Sequence, residues 1–117
     1  MHVRTQDDDQ IALSLREIAI LTALADHALS GLDIARKCAE DAEESMIMSH
    51  GTLYPALKRL QLYGLIQQFD DVDLLDERGR ARTIYSLTDV GVLVLGWEIQ
   101  SLERLARHAV RRLTVHS

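Results

Sequence analysis

The chain has one cysteine, one proline, six glycines and an aromatic fraction of only 4% among its 117 residues. A single thiol, Cys38, excludes an internal disulfide framework, and no second thiol stands at metal-ligand spacing. Cys38 is read as a small core residue, with redox sensing as the alternative. Few aromatics and few turn formers argue against an all-β sandwich and for a helix-rich domain with short turns. No apolar run approaches the ~18 residues of a membrane span. The N-terminus, with Asp7 to Asp9, lacks a signal-peptide core, so a cytoplasmic protein without a membrane partner is expected. Also missing are a nucleophile elbow, a phosphate loop, paired catalytic carboxylates and a metal motif, and the five histidines lack ligand spacing. Neither an enzyme nor a bound cofactor or metal is expected.

A surplus of positive charge is absent too. The net charge of −5 argues against nucleic acid, for which a basic domain is the usual footprint. The distribution of charge reverses that argument. Twelve of the eighteen acids fall in Asp7 to Asp9, Glu40 to Glu44 and Asp70 to Glu77, three runs that hold no basic residue. The rest of the chain therefore carries six acids against all thirteen Lys and Arg. Screening limits the reach of exposed charges to ~8 Å at physiological salt, so the local balance at a contact surface matters more than the total. Few phosphate-neutralising groups predict weak non-specific binding.

What is present is one domain's worth of core: 47% hydrophobic residues, with room for one long extra element. Residues 1–13 read as a flexible polar arm. Ser14-Leu15-Arg16-Glu17 is a capping-box pattern that starts a first helix. Its apolar stripe, Ile18, Leu21, Leu24 and Ala28, lasts to about Leu29, where Ser30-Gly31 breaks it. A second helix is expected from about Leu32 to Ala42, with Ile34, Ala35 and Cys38 inward, then a loop over Glu43 to Ser49.

The stretch Gly51 to Ile66, GTLYPALKRLQLYGLI, reads as a third helix turning directly into a strand. Leu53, Leu57 and Leu60 share one face, while Tyr54, Lys58 and Gln61 repeat the spacing on another. Pro55 fits the first turn if Gly51 or Thr52 caps, which puts the start near Thr52. Gly64 suits the left-handed C′ position. Strands are expected at Leu65 to Phe69 and Arg82 to Leu87, joined by a long charged loop over Asp70 to Ala81. The result is a mainly α fold with a small β-hairpin, laid out as a winged helix-turn-helix over residues 14–87.

Thr88 caps a last helix, from Asp89 to about Leu113, ~37 Å long. It carries apolar residues on two sides. Val90, Val94 and Trp97 mark one side, expected to face the chain's own domain. Leu95, Ile99, Leu102, Ala106, Ala109 and Leu113 mark the other, expected to form the seam of a homodimer. Residues 88–117 are thus read as a C-terminal dimerisation helix; the alternative is a helix folded back onto its own core in a monomer.

For DNA contact, the polar start of the third helix, Ser49, His50, Gly51 and Thr52, offers open amides to a phosphate. Thr52 and Tyr54 add hydroxyls, Lys58 a charge, and Gln61 a group able to read a base edge. In the wing, Arg78, Arg80 and Arg82 surround a glycine turn and suit phosphates or the minor groove. Tyr54 has core packing as its alternative role, and Arg82 has pairing with the wing acids.

These segments carry a resemblance. GTLYPALKRLQLYGLI followed by Arg82-x-x-Tyr85-x-Leu87-Thr88-x-x-Gly91 resembles the PadR family of bacterial transcriptional regulators, over roughly residues 14 to 110. The resemblance implies a winged helix-turn-helix dimer that represses promoters and releases operator DNA when a small-molecule effector binds. The single C-terminal helix is similar to the short branch of the family. Two departures stand out: the acidic wing, with Asp70, Asp71, Asp73, Asp76 and Glu77, and Trp97, earlier on the last helix than the pore tryptophan of some relatives. Trp97 is read either as a core anchor or as part of an effector pocket. A winged helix that binds a protein instead of DNA is the rival reading, motivated by the acidic wing.

Overall fold

The computed structural model describes residues 12–115. Most of the expected arm lies outside the described residues, as do the last two positions of the C-terminal segment. In chain order the elements are α1 (Leu15–Ala23), β1 (Leu29–Ser30), α2 (Gly31–Asp41), α3 (His50–Leu62), β2 (Ile66–Leu75), β3 (Ala81–Leu87) and α4 (Asp89–Val115). The strands form one antiparallel sheet in the order β1-β3-β2. Three helices against a small sheet, with a long fourth helix following the wing, is the winged helix-turn-helix expected from the sequence.

The capping box at Ser14 forms in full. Ser14 Oγ accepts from the Glu17 amide at 3.1 Å, and Glu17 Oε1 accepts from the Ser14 amide at 2.9 Å. The first helix ends sooner than its apolar stripe suggested, at Ala23. Leu29 and Ser30 then pair with Tyr85 and Ile84 as a short strand, where the sequence predicts only the end of the first helix and its break. Ser30 also caps α2, its Oγ accepting from the Asp33 amide at 3.2 Å. A serine that ends a strand and starts a helix leaves no room for the alternation by which strands are recognised.

Helix α3 starts at His50, with Ser49 as its N-cap. The expected start near Thr52 is therefore corrected. Pro55 sits inside the helix, beyond the first turn. The helix continues through it because Leu53, Leu57 and Leu60 are all buried, and each contributes ~1.5–3 kcal/mol on leaving water. Its end follows the expectation closely. Gly64 takes φ 73°, its amide donates to Gln61 O at 2.9 Å, and the Leu65 amide donates to Leu60 O at 3.0 Å, a Schellman closure. That closure turns the chain straight into β2.

The hairpin is longer and its tip shorter than expected. β2 runs on to Leu75, paired with β3 through a bulge between Asp71 and Leu75. The acids of this strand point to water on a ribbon that projects past the core, so their charge does not oppose strand formation.

The core joins Ile18, Ile20 and Leu21 of α1, Ile34 and Cys38 of α2, the three α3 leucines, Leu65, Ile66, Tyr85 and Leu95 of α4. Cys38 has no exposed surface, and burial, with the nearby charge of Asp41, pushes its thiol up to about 11. It is a core residue, as its type and place on the inner side of α2 predict. Helix α4 touches this core only through its first turns, where Gly91 and Leu95 are buried. Every residue from Ile99 to Val115 is exposed. No helix among the described residues is long and apolar enough to cross a membrane.

Candidate nucleic-acid interface

The start of α3 presents backbone donors. Ser49 makes no side-chain cap to the helix; instead its Oγ donates to Thr52 Oγ1 at 3.2 Å. Its carbonyl accepts from the Thr52 and Leu53 amides. The preceding first-turn amides, with the exposed Ser49 and His50 and half-buried Thr52, thus form a polar helix end facing water. A helix N-terminus favours an anion by its partial positive charge.

Tyr54 is held more firmly than a free surface tyrosine. Its ring packs on His50, centroids 4.3 Å apart, and its hydroxyl rests over Gly31, where no side chain intervenes. Burial, and secondarily the proximity of Tyr54, raises the Tyr85 phenol above its usual value. Tyr54 therefore bridges α3, the start of α2 and the sheet, yet stays 38% exposed. Both roles read for it, packing and contact, are compatible with this position. Lys58, one turn on, is exposed.

Two neighbours point elsewhere. Gln61 Nε2 donates to Gln68 Oε1 of β2 at 2.9 Å, so this side chain ties the helix to the root of the wing. Arg59 reaches back to α1, with its Nε 3.4 Å from Glu17 Oε2. Nothing in the spacing of the sequence separates Arg59 from Lys58, since both are cations beside an apolar stripe; only the packing of α1 does.

The wing tip is organised by one acid. Asp76 Oδ1 accepts from the amides of Arg78 and Arg80 at 2.8 and 2.9 Å, and its Oδ2 lies 3.5 Å from Arg80 Nε. The Arg80 amide foremost, aided by the Arg78 amide and the Arg80 guanidinium against a desolvation effect, holds the Asp76 carboxyl below its usual range. Asp70 accepts from Thr83 Oγ1 at 3.2 Å, and Asp71 from the Asp73 amide at 2.9 Å. Three of the five wing acids are thus engaged by the wing's own donors. Arg78 and Arg80 are exposed, while Arg82 is half-buried, opposite Asp71 in the ladder.

On α4 the two apolar sides are shared out differently from the expectation, with only Val94 of the first set half-buried against the core. Leu95 is buried in the chain's own core and so leaves the seam. Val90 and Trp97, read as facing the domain, are 52% and 62% exposed, and with Leu93 they form an outward apolar patch. Trp97 is therefore not a core anchor. The reason lies in Gly91, which lets this side of the helix lie against the Leu65 carbonyl and carries Leu95, one turn on, inward. Ile99, Leu102, Ala106, Ala109 and Leu113 continue the Leu95 side beyond the domain's edge, all exposed. No group of three or more His, Cys, Asp or Glu side chains suited to a metal occurs among the described residues.

This geometry has close counterparts. Over residues 20–96 the chain matches the transcriptional regulator PadR-like family. Among solved structures, a PadR family transcription regulator from hypervirulent Clostridium difficile R20291 is 26% identical, with TM-score 0.71 over 86% of this chain and 99% of that one. A PadR-like transcription factor from Bacteroides fragilis is also 26% identical, with TM-score 0.69 over 92% of this chain and 95% of that one. Bacillus subtilis PadR in complex with operator DNA is 28% identical, with TM-score 0.63 over 74% of this chain and 48% of that one. Comparison with curated protein sequences gives no significant match. With the family matched across two thirds of its length and its winged helix reproduced, the chain belongs to the PadR-like family of transcriptional regulators.

Proposed function

We propose that the chain binds operator DNA as a homodimer, acts as a repressor, and is released by a small-molecule effector. The observation that carries this reading is the bond between Gln61 and Gln68, which fixes the root of the wing beside α3. It keeps α3, with its polar start, beside the strand that leads to the Arg78 and Arg80 tip, the arrangement suited to a groove and its flanking phosphates. The operator complex of the Bacillus subtilis relative supports the same use of the fold here. In this reading Ser49, His50, Thr52, Tyr54, Lys58, Arg78 and Arg80 contact DNA, while Gln61 and Arg82 hold helix and wing in place.

Residues 14–87 then form the DNA-binding unit, residues 88–117 the dimerisation helix, and 1–13 an arm. The dimer is supported by the run of exposed apolar side chains on α4, including Ile99, Leu102 and Leu105, which water alone would leave uncovered. Trp97, with Val90 and Leu93, offers a flat apolar surface for an effector beside that seam. A cytoplasmic site of action follows from this role.

The wing also favours a second reading as a protein-binding module, because Val72 and Leu75 are 71% and 59% exposed among acids. Titration of a duplex covering the promoter of the chain's own gene, at two salt concentrations, separates the readings. The repressor reading expects a tight complex at low salt that weakens as salt rises. Failure to form any complex at low salt sinks it in favour of the protein-binding module.

A further inference from the structure

Arg59 stands on the DNA-reading helix next to Lys58, yet it is engaged on the side away from the exposed face. Its Nε lies 3.4 Å from Glu17 Oε2, its Nη2 donates to the carbonyl of Ala12 at 3.1 Å, and its guanidinium carbon lies 5.1 Å from the centroid of the Tyr63 ring. Glu17 is only 4% exposed, unusual for a carboxylate. Its two oxygens divide the work: Oε1 accepts from the Ser14 amide in the capping box, and Oε2 meets Arg59. Without Arg59 the buried carboxylate would keep only the Ser14 amide, so the half-exposed arginine is the cation that offsets its burial. The chain entering α1, the first turn of α1 and the last turns of α3 are thereby joined at one point.

We infer that Arg59 is a positioning residue for DNA binding, and that the Glu17–Arg59 pair couples the entry of α1 to the tilt of α3. This rests on the proposed operator binding. Arg59 sets where Lys58 and the polar helix start lie relative to the wing, without itself meeting a phosphate. Any event that displaces the segment before Ser14 pulls on Ala12 and Glu17, and so on α3. The stretch from Ala12 to Glu17 and the reading helix therefore move as one unit.

The test uses the full chain and a duplex of its own promoter, with the single variants Arg59→Gln and Glu17→Gln, the double variant, and Arg59→Lys. Arg59→Gln is expected to lower affinity about tenfold, the scale of one charged hydrogen bond. The slope of log affinity against log salt should stay at the wild-type value, because no phosphate contact is lost. Glu17→Gln, which retains an oxygen for the Ser14 amide, should weaken binding similarly, the double variant should be no worse than either single one, and Arg59→Lys should recover part of the loss. A slope reduced by about one in Arg59→Gln would make Arg59 a phosphate ligand and overturn the inference. Normal affinity in Glu17→Gln would overturn it as well. Hydrogen exchange of the α3 amides provides an arm without DNA: faster exchange in both variants is expected, and unchanged exchange contradicts the coupling. A wild-type chain that ignores the duplex, with both variants still showing faster exchange, would defeat the proposed function while leaving the coupling standing.

Discussion

A methyl group on Gly91 would collide with the backbone carbonyl oxygen of Leu65. That oxygen already accepts the Thr88 amide at 3.1 Å, and Thr88 Oγ1 both donates to Gly64 O at 2.6 Å and accepts from the Gly91 amide at 3.0 Å. The end of α3, the start of β2 and the start of α4 therefore meet at one knot of four residues. Because the obstructing atom is backbone held by its own hydrogen bond, it has little freedom to yield. Gly91→Ala should cost roughly 2–4 kcal/mol, the range of overpacking and backbone strain together. A thermal melt should fall by about 10 °C or more. Gly31→Ala offers the contrast, since the atom it would meet is the side-chain hydroxyl of the partly exposed Tyr54 and not backbone, and a smaller loss is expected.

Asp76 governs the wing tip by charge. Its folded-state carboxyl is depressed below the usual value, first by the Arg80 amide, so the ordering it gives is present above the ordinary carboxylate range. It is lost as the pH falls through the depressed value. Asp76→Ala should leave the thermal melt of the domain near wild type while broadening the backbone resonances of residues 76–80 at neutral pH. In the wild type the same broadening should appear only in acid. Sharp resonances in the variant would show that the strands alone hold the tip.

Cys38 is expected to be inert. With its thiol at about 11 and no exposed surface, the thiolate fraction at pH 8 is small and out of reach. Iodoacetamide should label the native chain at the rate of global opening, and label fully once denaturant unfolds it. Rapid labelling of the native protein would contradict the packing of α2 described above.

Lys58, Arg78 and Arg80 should behave as phosphate ligands. Lys58→Ala and Arg80→Ala are each expected to weaken operator binding and to reduce the salt slope by about one, with stability unchanged because both side chains are exposed. Gln61→Ala differs in kind. It should leave the slope intact, since its partner is Gln68. If neither cation moves the slope, the DNA face lies elsewhere.

Much of the fold was legible because local chemistry and tertiary packing agree over most of the chain. The Ser14 capping box, the Gly64 closure and the Leu53, Leu57 and Leu60 stripe each specify their structure within a few residues. Three features escaped. Leu29–Ser30 is too short a strand to show alternation and doubles as a helix start. The hairpin runs on to Leu75 because an acidic strand is stable when solvent covers both its faces, which its composition does not reveal. The orientation of α4 depends on Gly91 meeting Leu65, a contact across 26 positions of sequence, and periodicity alone gives two apolar sides without ranking them. In the candidate interface the residue types were readable, but their partners were not. Gln61 and Arg59 look like surface contacts in a linear pattern, and only the wing root and the first helix identify them as struts.

In the proposed dimer α4 delivers two reading helices to one operator, since a helix whose outward face carries little positive charge beyond Lys58 gives scant affinity alone. Leu102 sits mid-seam and is 39% exposed in the single chain. Leu102→Glu places a charge where two copies would meet, without touching the core or the interface. The direct measurement is the mass of the protein, free and bound to its promoter duplex, by sedimentation for the wild type and this variant. A wild-type dimer that binds as two chains per duplex is expected, and a folded Leu102→Glu monomer whose affinity falls by at least about a hundredfold, as loss of bivalent engagement requires. A wild-type monomer at micromolar concentration, or a monomeric variant that binds as tightly as the wild type, would contradict it.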